Sequence, residues 1–157
     1  MSKTKQIADA IIEQGMLPLY FNADETVSVD ILRAVYRAGV KALEYTNRGD
    51  AALMNFKKMV AVRNAEMPGM LFGVGTVKNL QTAKDYLAAG ADFLVSPGFV
   101  KEVADYAVAN DIFYAPGCMT PESERNTSNP SFLASTAAPT PLSPPPSITS
   151  LLLIEIL

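Results

Sequence analysis

The stretch Ala42-Leu43-Glu44-Tyr45-Thr46-Asn47-Arg48 decides how this chain is read. Val40 to Tyr45 has the composition of a strand, and strand side chains alternate between two faces. Ala42, Glu44, Thr46 and, if the chain stays extended, Arg48 then share one face, while Leu43 and Tyr45 share the other. A carboxylate, a hydroxyl and a guanidinium in one row at a strand's C-terminal end predict a polar pocket there.

Working outward, short apolar runs alternate with amphipathic stretches. Strands are predicted at Leu17 to Phe21, Val40 to Tyr45, Met70 to Val74, Phe93 to Val95 and Ile112 to Ala115. Helical spacing links Val27, Ile31, Leu32, Val35 and Ala38, and likewise Leu53, Phe56, Met59 and Val60. Leu80, Ala83, Leu87 and Ala88 repeat it, as do Val100, Val103, Ala104, Ala107 and Val108. An opening helix, Lys5 to Gln14, turns Ile7 and Ile11 inward. Asp24 or Ser28 caps the second helix, and Gly39 and Gly90 mark helix-to-strand junctions. Strands alternating with helices imply a parallel sheet, either open and doubly wound or closed as a barrel. The unusual residues follow several different strands, which favours a (β/α)8 barrel over an open sheet with one switch point. A barrel takes eight strands and about 200 residues or more. The expectation for 157 residues is therefore a TIM-type barrel truncated after about five βα units.

Composition narrows the function. The net charge of -3 gives no basic footprint for nucleic acid. The single cysteine, Cys118, excludes an intramolecular disulfide and fits a reducing cytoplasm. No apolar run approaches the roughly 18 residues that cross a bilayer. The expected partners are small molecules, with neither nucleic acid nor membrane among them. The chain also contains no histidine, so a Cys-His nucleophile and a His metal site are excluded.

Several constellations then carry chemistry or merely punctuate the fold. Glu44 reads as a general acid/base with Arg48 as its cationic neighbour, because a carboxylate walled in by a barrel has a raised pKa. The plainer alternative is a surface ion pair in a loop. The two glycines of Gly73-Val74-Gly75-Thr76-Val77 let the backbone approach a ligand closely and Thr76 offers a hydroxyl and an N–H to a carboxylate or phosphate, or the stretch is simply a tight turn into a helix from Asn79. Ser96-Pro97-Gly98 and Pro116-Gly117-Cys118-Met119-Thr120-Pro121 are stiff turns repeated after successive strands. Cys118 reads as a packing residue. Lys3, Lys5, Lys41, Lys57, Lys58, Lys78, Lys84 and Lys101 fall on helices, in loops or at a strand start. None is placed for a Schiff base, which needs a desolvated lysine at a strand's C-terminal end.

Together, Leu17-Pro18-Leu19-Tyr20, Leu43 to Arg48, Gly73 to Val77, Ser96 to Gly98 and Pro116 to Pro121 resemble the bacterial 2-keto-3-deoxy-6-phosphogluconate (KDPG) and 4-hydroxy-2-oxoglutarate (KHG) aldolases, over about residues 5 to 125. The resemblance implies a class I aldolase on a (β/α)8 barrel, cytoplasmic, needing no metal or other cofactor and assembled as a homotrimer when intact. Such enzymes split a keto acid into pyruvate and an aldehyde, either an aldehyde phosphate or glyoxylate. By position Glu44 becomes the proton shuttle. Arg48 and Thr76 hold anionic groups, with Gly75 beside them and Pro97 in the apolar wall.

The departure comes after Arg125. The family's Schiff-base lysine, expected in a Lys-x-Phe-Pro strand soon after Thr120-Pro121-Glu122, has no counterpart in this chain. Residues 1–125 hold all 9 glycines, all 13 basic residues and 15 of the 16 acids. Residues 126–157 are rich in Pro, Ser, Thr and Ala and end in an apolar run, Leu151 to Leu157. The abrupt change predicts a partial aldolase barrel over 1–125, followed by a frameshift product or a disordered tail. The terminal run has the character of an aggregation-prone segment. Five strands with unpaired edges predict poor folding. The chain is therefore read as aldolase-derived and inactive as written; the alternative is a non-catalytic barrel remnant or a small-anion-binding fragment.

Overall fold

The computed structural model describes residues 2–117 and 152–155. Helices and strands alternate as α1 (Lys3–Gln14), β1 (Met16–Tyr20), α2 (Glu25–Arg37), β2 (Ala42–Thr46), α3 (Ala52–Glu66), β3 (Leu71–Gly75), α4 (Leu80–Ala88), β4 (Phe93–Ser96), α5 (Lys101–Ala109) and β5 (Phe113–Pro116). A last strand, β6, spans Leu152–Glu155. Cys118, the Thr120-Pro121-Glu122 turn and the expected boundary after Arg125 lie outside the described residues.

Local chemistry sets the helix starts. Ser2 accepts a hydrogen bond from the Lys5 N–H, Asp24 from Val27 and Asn79 from Thr82, each satisfying a first-turn donor. Of the two caps expected for α2, Asp24 is the one used. Ser28 is instead buried and donates its hydroxyl to the Asn22 carbonyl at 3.0 Å. Gly15 ends α1 at φ 77°, a left-handed conformation that suits glycine.

The strands are all parallel and lie in the order β5-β4-β3-β2-β1-β6. The first five neighbour one another in chain order with no reversal. A doubly wound sheet reverses at a switch point, so this order is that of a barrel's leading strands. Strand β6 pairs with β1, with Met16 opposite Leu152 and Leu19 opposite Glu155. Leu152–Glu155 of the terminal apolar run thus lie along the β1 edge that the sequence reading left unpaired.

The two faces of the sheet bury different things. On the outer face, Tyr20, Tyr45, Val74, Leu94 and Tyr114 form one cross-strand row. They join a core in which the Phe56 and Phe72 rings stack 4.7 Å apart. The burial stripes on α2 and α4 are rotated from the expected ones. Leu32 and Ser28 are buried while Val27 is exposed, and Tyr86 takes the inward place expected of Ala88. Val108 is exposed as well. On the inner face, Ile7 and Ile11 of α1 pack against Leu17, Ala42 and Phe93, with Leu71 and Phe113 alongside. Helix α1 therefore floors the inner face at its lower end.

At the N-terminal ends of the strands the polar groups are stitched together. Gln14 accepts from the Lys41 and Ala42 N–H groups and donates to the Met16 and Ala42 carbonyls. Arg63 donates to Asp92, to the Met70 carbonyl at 3.2 Å and to the Gly90 carbonyl at 3.1 Å. Asp92 also accepts from the Phe72 N–H at 3.0 Å and pairs with Lys3.

Candidate active site

Glu44 lies on β2 one register step from two glycines. Leu19, Glu44 and Gly73 form a cross-strand row, and Thr46 faces Gly75. The period-two reading of the strand is met: Ala42, Glu44 and Thr46 point inward, Leu43 and Tyr45 outward into the aromatic core. The Glu44 side chain is 2% exposed, and its Oε2 atom has no hydrogen-bond partner among the described residues. Burial pushes its pKa from 4.5 up to about 7, while the positive charge of Arg48 pulls in the opposite direction. Burial outweighs Arg48, because the charged form loses water and its Oε2 meets no donor among the described residues.

The two glycines have assignable jobs, and these are internal. A Cβ on Gly75 would fall inside the Glu44 carboxylate, and one on Gly73 inside the Phe93 ring. The close approach read from Gly73-Val74-Gly75 is thus an approach of neighbouring side chains, with Gly75 making room for the acid itself. Thr76 follows with φ 62°, a left-handed conformation that a β-branched residue adopts only under constraint. The constraint is visible on both sides. Asn47 donates its N–H to the Gly75 carbonyl at 2.9 Å, and Val77 donates to the Val95 carbonyl at 3.1 Å.

Arg48 departs from the expected geometry. The strand ends at Thr46, and the Arg48 N–H turns back onto the Thr46 carbonyl at 3.0 Å. Arg48 is exposed in the loop and acts on Glu44 through charge, not as the next member of the strand row. Pro97 is exposed on the β4 loop. That loop is anchored from below: the Ser96 and Tyr114 hydroxyls lie 2.5 Å apart, Ser96 donates to the Gly98 carbonyl, and Tyr114 accepts from the Val100 N–H. The next loop tucks against it through the Gly117 N–H and the Ser96 carbonyl at 2.8 Å.

Structure therefore brings Glu44 and Gly75 into contact, sets Thr76 directly after them and keeps Arg48 within electrostatic reach. Residues that sequence reading missed hold these in place. Asn47 accepts from the buried Tyr86 hydroxyl at 3.0 Å, and Tyr45 donates to the Asn22 carbonyl at 2.7 Å. A signal existed for Tyr86: a tyrosine on the apolar stripe of a helix needs a partner for its hydroxyl.

An in-order parallel βα sheet, floored by a helix and ending in a buried carboxylate on its second strand, places this chain among the (β/α)8-barrel proteins. The chain belongs to the KDPG and KHG aldolase family, whose model matches residues 7–127. Among curated relatives, the 2-dehydro-3-deoxy-phosphogluconate aldolase of Pseudoalteromonas atlantica is 32% identical over 68% of this chain and 48% of its own length. A solved Zymomonas mobilis 2-keto-3-deoxy-6-phosphogluconate aldolase with 3-phosphoglycerate is 28% identical at a TM-score of 0.67, over 76% of this chain and 55% of that one. A Legionella pneumophila KDPG aldolase, with pyruvate captured as a covalent carbinolamine, is 26% identical at a TM-score of 0.61, over 71% and 52%. This chain spans about half the length of the curated relatives it matches. Among the described residues no helix is long and apolar enough to cross a membrane.

Proposed function

We propose that this chain carries the proton-transfer and anion-holding part of a class I aldolase site, and that it holds a short 2-keto acid without cleaving it. The complete enzyme of this reading splits 2-keto-3-deoxy-6-phosphogluconate or 4-hydroxy-2-oxoglutarate into pyruvate and an aldehyde. Glu44 is the proton shuttle, Arg48 and Thr76 hold anionic groups beside Gly75, and Pro97 forms part of the apolar wall. Residues 1–125 are the partial barrel that supplies them, with 126–157 a segment outside the aldolase pattern.

The observation that carries the proposal is the state of Glu44. A carboxyl with pKa about 7 exchanges its proton near neutral pH, which suits general acid/base work. Its Oε2, which has no partner among the described residues, has hydrogen-bonding capacity that a bound hydroxyl would use. The second half of the proposal rests on nitrogen chemistry. A carbinolamine forms when an amine adds to the keto carbon, and the amine must be uncharged to do so. Every lysine of the chain (Lys3, Lys5, Lys41, Lys57, Lys58, Lys78, Lys84 and Lys101) is exposed, and none lies within a strand. A Schiff-base amine needs a desolvated place at a strand's C-terminal end, which none of these lysines occupies.

Borohydride reduction in the presence of pyruvate, read by intact mass, tests the covalent half. The expected mass is unchanged, and a reduced pyruvate adduct overturns the absence of a competent amine. Titration with pyruvate alone tests the other half: the amide resonances of Thr76 and Arg48 are expected to move, and a flat titration overturns keto-acid binding.

A further inference from the structure

We propose that Tyr86 is a positioning residue: its hydroxyl pins Asn47 and so sets the direction in which Arg48 leaves β2. The inference rests on the anion-holding reading of Arg48 and Thr76, and the geometry that carries it is independent of that reading. Tyr86 is 1% exposed, and its ring meets Phe56 edge-on at 5.0 Å. A phenylalanine would fill that space equally well. The added hydroxyl is therefore explained by its bond to the Asn47 Oδ1 atom at 3.0 Å, since a buried hydroxyl without a partner is costly. Burial raises the phenol's pKa, so the group remains a donor.

Asn47 is held from two sides. Its N–H extends the β2–β3 ladder onto the Gly75 carbonyl, and its side chain reaches α4 through Tyr86. One residue later the chain folds back, with the Arg48 N–H on the Thr46 carbonyl. Helix α4 begins just beyond Thr76, where Asn79 caps it. The same short helix thus references both anion-holding loops: it follows Thr76 directly and reaches Arg48 through Tyr86 and Asn47. Tyr86 is a strut between the loops, with no contact to ligand required.

The test is Tyr86→Phe in the full chain, read by amide hydrogen exchange and by pyruvate titration. Exchange at the Asn47 and Arg48 amides is expected to speed up about fivefold, with Phe72 and Val74 unchanged. Pyruvate affinity falls in parallel. Asn47→Ala gives the same two changes, and the double variant adds nothing further. Unchanged exchange at Asn47 in a folded Tyr86→Phe protein overturns the proposal. So does a uniform acceleration across the whole sheet, which is the signature of a merely structural role. If the unmodified chain binds no pyruvate, the keto-acid reading fails, while the exchange result still decides the role of Tyr86.

Discussion

The two ends of the sheet compensate buried charge to different degrees. At the N-terminal ends, Arg63 and Asp92 are nearly enclosed, and each meets several partners (the other's charge, the Met70 and Gly90 carbonyls and the Phe72 N–H), although the Arg63 Nε atom has no hydrogen-bond partner among the described residues. At the C-terminal ends, Glu44 is more deeply enclosed, and its Oε2 has no partner among the described residues. The lower cluster sets a cation directly against an anion and ties both to the main chain. The upper acid is held where its charge is disfavoured, and that instability is what makes its proton exchangeable near neutral pH.

The sharpest way to break this contrast is at the lower end. Arg63→Ala leaves the Asp92 carboxylate enclosed without its main counter-charge and is expected to cost about 3 to 4 kcal/mol in a urea titration. The pyruvate titration of the folded fraction should be unchanged. At the upper end, pH is the probe. The folded-state pKa of Glu44 is raised, so its favourable contribution is complete below pH 4.5 and is lost as pH rises through about 7. The span from 4.5 to about 7 corresponds to about 3 kcal/mol, which Glu44→Gln should remove from the pH dependence of unfolding. An equal slope in both proteins would mean that Glu44 is solvated and ionised in the folded state.

Smaller effects sharpen the picture at the glycine and its neighbour. Gly75→Ala forces the Glu44 carboxylate aside and is expected to cost about 2 kcal/mol by thermal or chemical denaturation, flattening the same pH slope as the acid is displaced. Thr76→Gly relieves a left-handed β-branched residue and should gain about 1 kcal/mol of stability. It should also weaken the pyruvate response, separating stability from function at one position.

Much of the strand and helix layout was legible in the sequence, because it depends on local periodicity. The reading of Val40 to Tyr45 lands on Ala42–Thr46, and the alternation of Glu44 and Tyr45 between faces is as read. Arg48 shares the Glu44 face only if the chain stays extended, and the main-chain bond that turns the loop back after Thr46 removes that condition. Val27 and Val108 were read inward although both are exposed, since helical spacing fixes a stripe only to within about a residue. Gly73 and Gly75 read as room for a ligand, and neighbouring side chains fill that room. Their partners, Phe93 and Glu44, come from the neighbouring strands, and only the register names them.

By itself the sequence determined the alternation of strand and helix, the face that Glu44 occupies and the family motifs, all of which are written in short-range spacing. Only the tertiary structure decided that the strands lie in unreversed order, that β6 lies beside β1, that the Glu44 Oε2 atom meets no hydrogen-bond partner among the described residues, and that Tyr86 reaches Asn47. Those features depend on which distant residues meet across the sheet. Strand order, register and desolvation are properties of the packed chain, and no local pattern encodes them.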